Sequence, residues 1–357
     1  MAGKHKLLER PTHGGNLTWA AGVAGCPTSM IVDFSASINP LGPPASAIAA
    51  ITGGLKTLSS YPDPNYYQLC HALAQWHQLS PEWILPGNGS AELLTWASWE
   101  LSHLEETYLL TPAFADYRRS LSTFGVTIHP LLLNLGDIDS PLLIDKTNRR
   151  AGLLLNNPHN PTGKLFTTKE ILPYLEEFAL VVIDEAFMDF VPPAQQQSLI
   201  SMVNKYPNLV ILRSLTKFYS LAGLRLGYAI SNPGRLRLWQ KWRDPWPVSV
   251  LAAAAGEAII QDEEFQEHTW HWLPPARQAL FNALQSIPGL HPLPGSANFL
   301  LVRTENSSRQ LQEQLLKNHR IFIRDCSNFP ELGDRYFRLA VRTQTENQTL
   351  IKALRDQ

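Results

Sequence analysis

Short apolar runs recur through the first two thirds of the chain, at residues 108–110, 128–133, 152–155, 180–183 and 209–212. Longer mixed segments separate several of them, and this alternation predicts an α/β fold with a largely parallel sheet. Helices are predicted between them over residues 68–78, 91–101, 168–177 and 198–205. Beyond the Asp244-Pro245-Trp246-Pro247 stretch one long helical pattern runs from residue 248 to about 285. It is followed by strand-like residues 297–302, a helix over 308–319, strands over 320–323 and 336–341, and a last helix from Glu346. The pattern divides the chain into a large α/β domain over residues 40–259 and a smaller α+β domain over 260–357. Residues 1–39 are too few for a domain and are expected to pack with the small one. No repeat of solenoid length and no low-complexity tract interrupts this organisation.

Composition narrows the class. The 357 residues suffice for about two domains with a large core. An apolar content of 44% against 17% charged residues excludes disorder. Thirty basic and 31 acidic residues leave a formal charge of −1, so no global field draws the protein to nucleic acid or anionic lipid. An anionic ligand must therefore meet local cations. The three cysteines have no metal-ligand spacing, and their odd number argues against a disulfide framework. Together with a start lacking an apolar stretch and the absence of any run long enough to span a bilayer, this predicts a cytoplasmic protein.

The most telling chemistry lies where the apolar run Leu180-Val181-Val182-Ile183 ends in Asp184 and Glu185, with Lys217 33 residues later, just past the next run. That separation is one β-α-β unit, and a parallel sheet brings both residues to the same carboxyl edge, where ligands of open α/β sheets bind. Taken alone, Asp184 reads as a turn or cap acid and Lys217 as a solvated surface lysine. Their neighbours change this. Ser214, Thr216 and Arg225 surround the amine in sequence, two hydroxyls and a guanidinium that make a phosphate cradle. A glycine-rich turn, Gly87-Asn88-Gly89-Ser90-Ala91, enters an apolar helix and offers free amides to an anion, or else is a plain helix start. It is neither a Walker loop nor a dinucleotide fingerprint. The loop Asn157-Pro158-His159-Asn160-Pro161-Thr162-Gly163 is either a simple turn or a rigid mount for an Asn that donates to a phenolic oxygen.

These four motifs in this order resemble fold type I pyridoxal-phosphate enzymes of the aspartate-aminotransferase superfamily over nearly the whole chain. Within it the chain is most similar to the threonine-phosphate decarboxylases of cobalamin biosynthesis, near relatives of the histidinol-phosphate aminotransferases. The stretches HGGN (residues 13–16), FSASINPLG (34–42) and IRDCSNF (323–329) carry the finer likeness. The resemblance implies pyridoxal 5'-phosphate, with Lys217 forming the Schiff base and Asp184 pairing with the protonated ring nitrogen, so that the ring can accept electrons from the substrate α-carbon. It further implies that Asn160 donates to the ring hydroxyl, that Phe114 lies over the ring face, and that Ser90, Ser214, Thr216, Arg225 and the amides of Gly89 and Ala91 hold the cofactor phosphate. Tyr61 would reach that phosphate from the second subunit of a homodimer.

On the substrate side, a small phosphorylated amino acid, the resemblance implies Arg338 for the carboxylate and Arg324 with His13 and Gly14 for the phosphate. Asn160 and Ser37 complete that side. Two departures stand out. Phe187 replaces the Tyr that aminotransferase relatives often place three residues after the ring-nitrogen Asp, which fits the decarboxylase branch. Ser37 stands where the decarboxylase pattern often has Asn. The residues alone leave decarboxylation and transamination open, because substrate orientation decides which bond at the α-carbon breaks. Histidinol-phosphate aminotransferase is therefore the alternative activity, and a non-catalytic binding protein the alternative of another class, although it leaves Lys217 without a purpose. His268 and His271, one helical turn apart with no third ligand near, read as a helix face, and no metal is expected.

Overall fold

The computed structural model describes residues 10–144 and 148–357. After a two-residue strand β1 (Val32–Asp33) come the strands of the main sheet. These are β2 (Ile84–Asn88), β3 (Thr107–Thr111), β4 (Ile128–Leu132), β5 (Gly152–Asn156), β6 (Leu180–Asp184), β7 (Leu209–Ser214) and β8 (Leu226–Ser231), in the order β2-β8-β7-β6-β5-β3-β4. Only β8 runs against its neighbours. Every residue of β3, β5, β6 and β7 is buried. Alternate residues serve opposite faces: Leu153, Val181 and Ile183 join one core cluster, Leu154, Leu180 and Val182 the other. Burial on both faces explains why these strands read as continuous apolar runs.

Helices α1 (Leu17–Ala24), α2 (Ala45–Gly54), α3 (Tyr67–His77), α4 (Gly89–Leu101), α5 (Ala115–Thr123), α6 (Thr168–Ile171), α7 (Pro233–Trp242) and α8 (Val250–Ile260) accompany this sheet along the chain. Then follow α9 (Glu263–Gln285), β9 (Leu290–Pro292), β10 (Phe299–Thr304), α10 (Ser308–His319), β11 (Ile321–Phe322), β12 (Arg324–Asp325), β13 (Tyr336–Ala340) and α11 (Gln344–Arg355). A second, antiparallel sheet has the order β12-β13-β10-β9, while β11 pairs in parallel with β1. Trp19 of α1 packs against Phe322, so the beginning of the described chain lies on its C-terminal third. Among the described residues no helix is long and apolar enough to cross a membrane.

Several expected elements differ. The helix over 248–285 is two helices, because Asp262 turns its carboxylate back to accept the Phe265 N–H and starts a new N-terminus. The helix expected over 168–177 stays α-helical only to Ile171. Pro173 has no N–H for the ladder, and a 3-10 turn continues to Leu175. Residues 198–205 form only a 3-10 turn at Ile200–Met202, since the buried carboxylate of Glu185 takes the Ser198 hydroxyl and the Leu199 N–H. The strand over 320–323 is divided between β11 and β12, which join different sheets. The last helix begins at Gln344, where Thr343 and Glu346 form a capping box.

Two histidines, the buried His159 and the half-buried His77, make stability depend on pH. His77 meets the Tyr228 hydroxyl at 2.8 Å and His159 the Thr162 hydroxyl at 2.8 Å, and burial lowers the pKa of each to about 3. The native state keeps both rings neutral while the unfolded chain protonates them below about 6.5, so each costs stability as the pH falls from 6.5 toward 3, at about 1.4 kcal/mol per pH unit. His77→Gln should therefore flatten the fall in unfolding free energy between pH 6.5 and 4.5 by about that slope, read from urea titrations. An unchanged slope would contradict a neutral ring.

Candidate active site

Strands β6 and β7 lie side by side in parallel, with Asp184 opposite Leu212, so the last residue of β6 and the turn after β7 open onto one edge. Asp184 is buried there. Its Oδ1 accepts the Ala186 N–H at 2.9 Å and its Oδ2 the Tyr117 hydroxyl at 2.8 Å. Burial raises the Asp184 pKa, against the opposing pull of the Lys217 charge and the two donors. Burial likewise lowers Lys217 to about 8, with Arg225 and Arg338 adding to the fall and Asp184 resisting it. The amine donates to Ser214 Oγ at 3.3 Å and faces the Phe187 ring, 5.2 Å from its centroid. Acid and amine thus come to one cavity at the edge that parallel strands predicted, although the connection between β6 and β7 holds only 3-10 turns and not the α-helix of a β-α-β unit.

Beside them stands a cationic cradle. Gly89 begins α4 at φ +72°, and a Cβ there would lie 2.7 Å from the Arg225 guanidinium. Only glycine lets that cation rest against the helix start, where unpaired amides favour an anion. Ser90 and Ala91 lie in the first turn of α4, and the hydroxyls of Ser214 and Thr216 are 2.7 Å apart. Arg225 donates to the Ala222 carbonyl at 3.2 Å and has no carboxylate partner among the described residues.

The opposite wall comes from the C-terminal sheet, where Arg324 and Arg338 stand across from each other on β12 and β13. Arg338 donates to Asn160 Oδ1, lies 4.8 Å from the Phe299 ring centroid, and leaves its Nε buried without a partner. Burial lowers it to about 10. Arg324 donates to the carbonyls of Thr12 and Asp325 and to Asn328 Oδ1, and burial lowers its pKa also. Neither guanidinium has a carboxylate within ion-pair distance among the described residues. His13 lies 5.4 Å from the Phe114 ring and 3.6 Å from Asp116 Oδ1, its pKa lowered chiefly by burial. At Gly14 a Cβ would fall 2.2 Å from the Ser35 carbonyl oxygen, so only glycine fits.

A cavity of about 220 Å³ gathers His13, Gly14, Ser37, Ser90, Phe114, Asn160, Asp184, Lys217, Arg324 and Arg338. Gly89, Ala91, Ser214, Thr216 and Arg225 are not among its lining residues and form the cradle beside it. Tyr61 is in neither place. It is 77% exposed and stacks on Trp246 at 4.3 Å. Arg342 is engaged by Glu346 and the Asp33 carbonyl. His268 and His271 are exposed on α9, and among the described residues no metal-ligating cluster occurs.

Sequence reasoning passed over Tyr117 and Asn156, both of which line the cavity. Tyr117 follows Phe114 by three residues, a spacing that places two side chains on one helix face and was a readable signal. The residues present fit pyridoxal phosphate: a carboxylate for a ring cation, an amine for an aldehyde carbon, and cation, hydroxyls and helix start for a phosphate. Ser37 Oγ and Asn156 Oδ1, buried in the cavity wall without partners, are polar atoms that a bound group would be needed to satisfy.

The fold and this lysine-carboxylate site define a class of enzyme, and comparison with known proteins gives the family. Residues 29–354 match the model of aminotransferase class I and II, and the chain belongs to that family. It is similar to threonine-phosphate decarboxylase of Salmonella typhimurium, 38% identical over 98% of this chain and 97% of that one. It is also similar to histidinol-phosphate aminotransferase of Symbiobacterium thermophilum, 33% identical over 91% of this chain and 90% of the other. The crystal structure of L-threonine-O-3-phosphate decarboxylase from Porphyromonas gingivalis shares the fold with a TM-score of 0.82 at 24% identity, over 91% of this chain and 99% of that one.

The depressed basicity of Lys217 is open to direct measurement. With a small aldehyde and borohydride, labelling of Lys217 in cofactor-free protein, followed by peptide mass mapping, should be half-maximal near pH 8. A midpoint near 10.5, the ordinary lysine value, would contradict the buried environment.

Proposed function

We propose that this chain is a pyridoxal-phosphate-dependent carbon-carbon lyase that decarboxylates O-phospho-L-threonine to (R)-1-amino-2-propanol O-2-phosphate in cobalamin biosynthesis. The observation that carries the reading is the pair of guanidiniums on β12 and β13, without carboxylate partners, facing the cavity beyond a separate cradle at Arg225. The cradle suits the cofactor's phosphate. The pair suits a single substrate that carries both a phosphate and a carboxylate, which phosphothreonine is, whereas the aminotransferase would meet a phosphate on histidinol phosphate and carboxylates only on its keto-acid partner. Identity of 38% to a threonine-phosphate decarboxylase over almost the full length supports the same choice.

When bound, pyridoxal phosphate supplies an electron sink for the pair left at the α-carbon as carbon dioxide departs. Asp184, whose ionised form Lys217 and its two donors favour against burial, would hold the proton on the ring nitrogen. Arg338 binds the substrate carboxylate and fixes its orientation, Arg324 with His13 and the Gly14 backbone receives the substrate phosphate, and Ser37 offers its free hydroxyl. Phe114 covers one face of the ring and Asn160 donates to its oxygen. Lys217, with an amine that titrates near 8, carries at Nζ the proton that replaces carbon dioxide on the α-carbon. Residues 40–259 form the cofactor-binding unit in this reading, residues 260–357 the unit that brings Arg324 and Arg338, and residues 1–39 the segment that brings His13. The working form is a cytoplasmic homodimer in which the exposed Tyr61 reaches the partner's cofactor phosphate. The neighbouring exposed Leu55, Leu58 and Tyr67 suit such an interface.

The test is incubation of the cofactor-loaded protein with O-phospho-L-threonine. Carbon dioxide and the amino alcohol phosphate are expected in equal amounts, and Lys217→Ala should lower the rate at least about a thousandfold. Turnover of histidinol phosphate that requires a keto acid and releases no carbon dioxide would instead establish the aminotransferase, a reading favoured by the 33% identity to that enzyme. Arg324→Ala should raise KM for phosphothreonine by roughly 30-fold or more, because a charge-assisted contact to a buried anion is lost. An unchanged KM would remove Arg324 from the phosphate site.

A further inference from the structure

Tyr117 has no role in the scheme above, yet it makes the closest side-chain contact to Asp184. Its hydroxyl donates to Asp184 Oδ2 at 2.8 Å, and among the described residues this is its one hydrogen bond. Both side chains are buried. The phenol ring is fixed in turn by an edge contact to Phe114, 5.7 Å between centroids at 84°, and by the core cluster that includes Leu93 and Leu121. With Ala186 N–H on Oδ1 and Tyr117 on Oδ2, the carboxylate is held at both oxygens, from β6's own turn and from α5.

The geometry assigns Tyr117 as a positioning residue that fixes and sustains the Asp184 carboxylate facing the cofactor's ring nitrogen. This rests on the function proposed above. A carboxylate held only by the backbone amide can turn about its Cβ–Cγ bond, which is broad and soft. A second donor on the other oxygen removes that freedom, as partners behind a ligating group do in metal sites. The hydroxyl also favours the ionised acid. Asp184 is faced by Lys217 from the turn after β7, by Tyr117 from α5 and by Ala186 N–H from the turn after its own strand, and burial works against all three. Burial and the neighbouring carboxylate push the phenol well above its ordinary range, so it remains a donor throughout working pH. Helix α5 then serves the site three times within four residues: Phe114 at its N-cap lines the cavity, Asp116 meets His13, and Tyr117 holds Asp184.

The test is Tyr117→Phe, which removes one oxygen and keeps the ring packing. Loaded Tyr117→Phe should lose roughly ten- to a hundredfold in kcat with little change in KM for phosphothreonine. Cofactor affinity, measured by fluorescence titration of cofactor-free protein, should weaken about tenfold or more, and the visible absorption band of the bound cofactor should shift in balance or position. Leu121→Ala, in the same helix and core without contact to Asp184, should lower the melting temperature and leave that band unmoved. In an Asp184→Asn background the Tyr117→Phe effect on affinity should vanish, because the two residues act as one unit. Unaltered affinity and absorption in Tyr117→Phe, an equal spectral change in Leu121→Ala, or an undiminished effect in Asp184→Asn would each overturn the assignment. Failure of the proposed function is separate, since the wild-type protein would then release no carbon dioxide from phosphothreonine, while cofactor affinity and absorption would still test the Tyr117 assignment.

Discussion

A half-buried lysine facing the same cavity as a buried aspartate constrains the rest of this molecule. Removing either charge from water is costly, and the mutual attraction offsets this only when both groups are further hydrogen-bonded. Ser214 serves the amine, Tyr117 and the Ala186 amide the carboxylate. The strands must then hold register, because a slip of one residue between β6 and β7 would turn Asp184 to the other face of the sheet. A second ionic network secures the same ends: Arg213 of β7 is buried, with Nε 3.0 Å from Glu185 Oε2 and a further bond to Asp189. Glu185 follows Asp184 directly. One buried cation thus ties the turn after β6 to β7 immediately behind the catalytic edge.

The same electrostatics separate local charge from global charge. The chain as a whole is formally −1, yet Lys217, Arg324 and Arg338 line one cavity with Asp184 and the exposed Arg225 stands beside it, with no carboxylate partner for any of the three guanidiniums among the described residues. Such an excess of cation is tolerable because each guanidinium is hydrogen-bonded to a carbonyl or amide oxygen and retains donors for an anion. Repulsion among them lowers the basicity of Lys217 further, and this is the property an amine needs if it is to exchange protons near neutral pH. Anion binding and lysine chemistry therefore share one cause.

How much of this was legible in the chain follows from locality. Strands buried on both faces carry an unmistakable apolar signature, and β3, β5, β6 and β7 were readable from it. So were α3, α4 and α10, whose boundaries shift by two residues at most. Two of the elements that failed depend on distant partners: the 198–205 segment loses its helix to the carboxylate of Glu185, and residues 320–323 divide between two sheets, whereas the breaks at Asp262 and Pro173 are local. Strands β2 and β8 escaped notice because their ends, Gly87-Asn88 and Gly227, drew attention as turn and cradle chemistry. In the site, Asp184 and Lys217 followed from two apolar runs expected to pair in parallel, read together with Ser214, Thr216 and Arg225 close by in sequence. His13 and Arg324 did not, since a segment near the N-terminus meets β12 only through tertiary contact, with Thr12 O on the Arg324 guanidinium and Arg10 on Asp325. Only their motif resemblance brought them forward.

Asn160 links the two halves of the site. Its Oδ1 accepts from Arg338, so the amide orientation is set by that guanidinium and the NH₂ group is left as its remaining donor. Phe187, with no hydroxyl, faces Phe299 at 4.9 Å and presents its ring to Lys217, leaving Asn160 to supply the hydrogen bond that a Tyr at 187 would share. In the proposed reaction, then, the cation that grips the substrate carboxylate also aims the donor that meets the cofactor's ring oxygen. A carboxylate arriving at Arg338 draws on donors of the same fork that holds Asn160, so substrate orientation and ring hydrogen bonding change together. That coupling passes through one side chain between the two sheets; in the proposed reaction it leaves substrate orientation to Arg338 and Asn160, since the amine of Lys217 would serve either reaction.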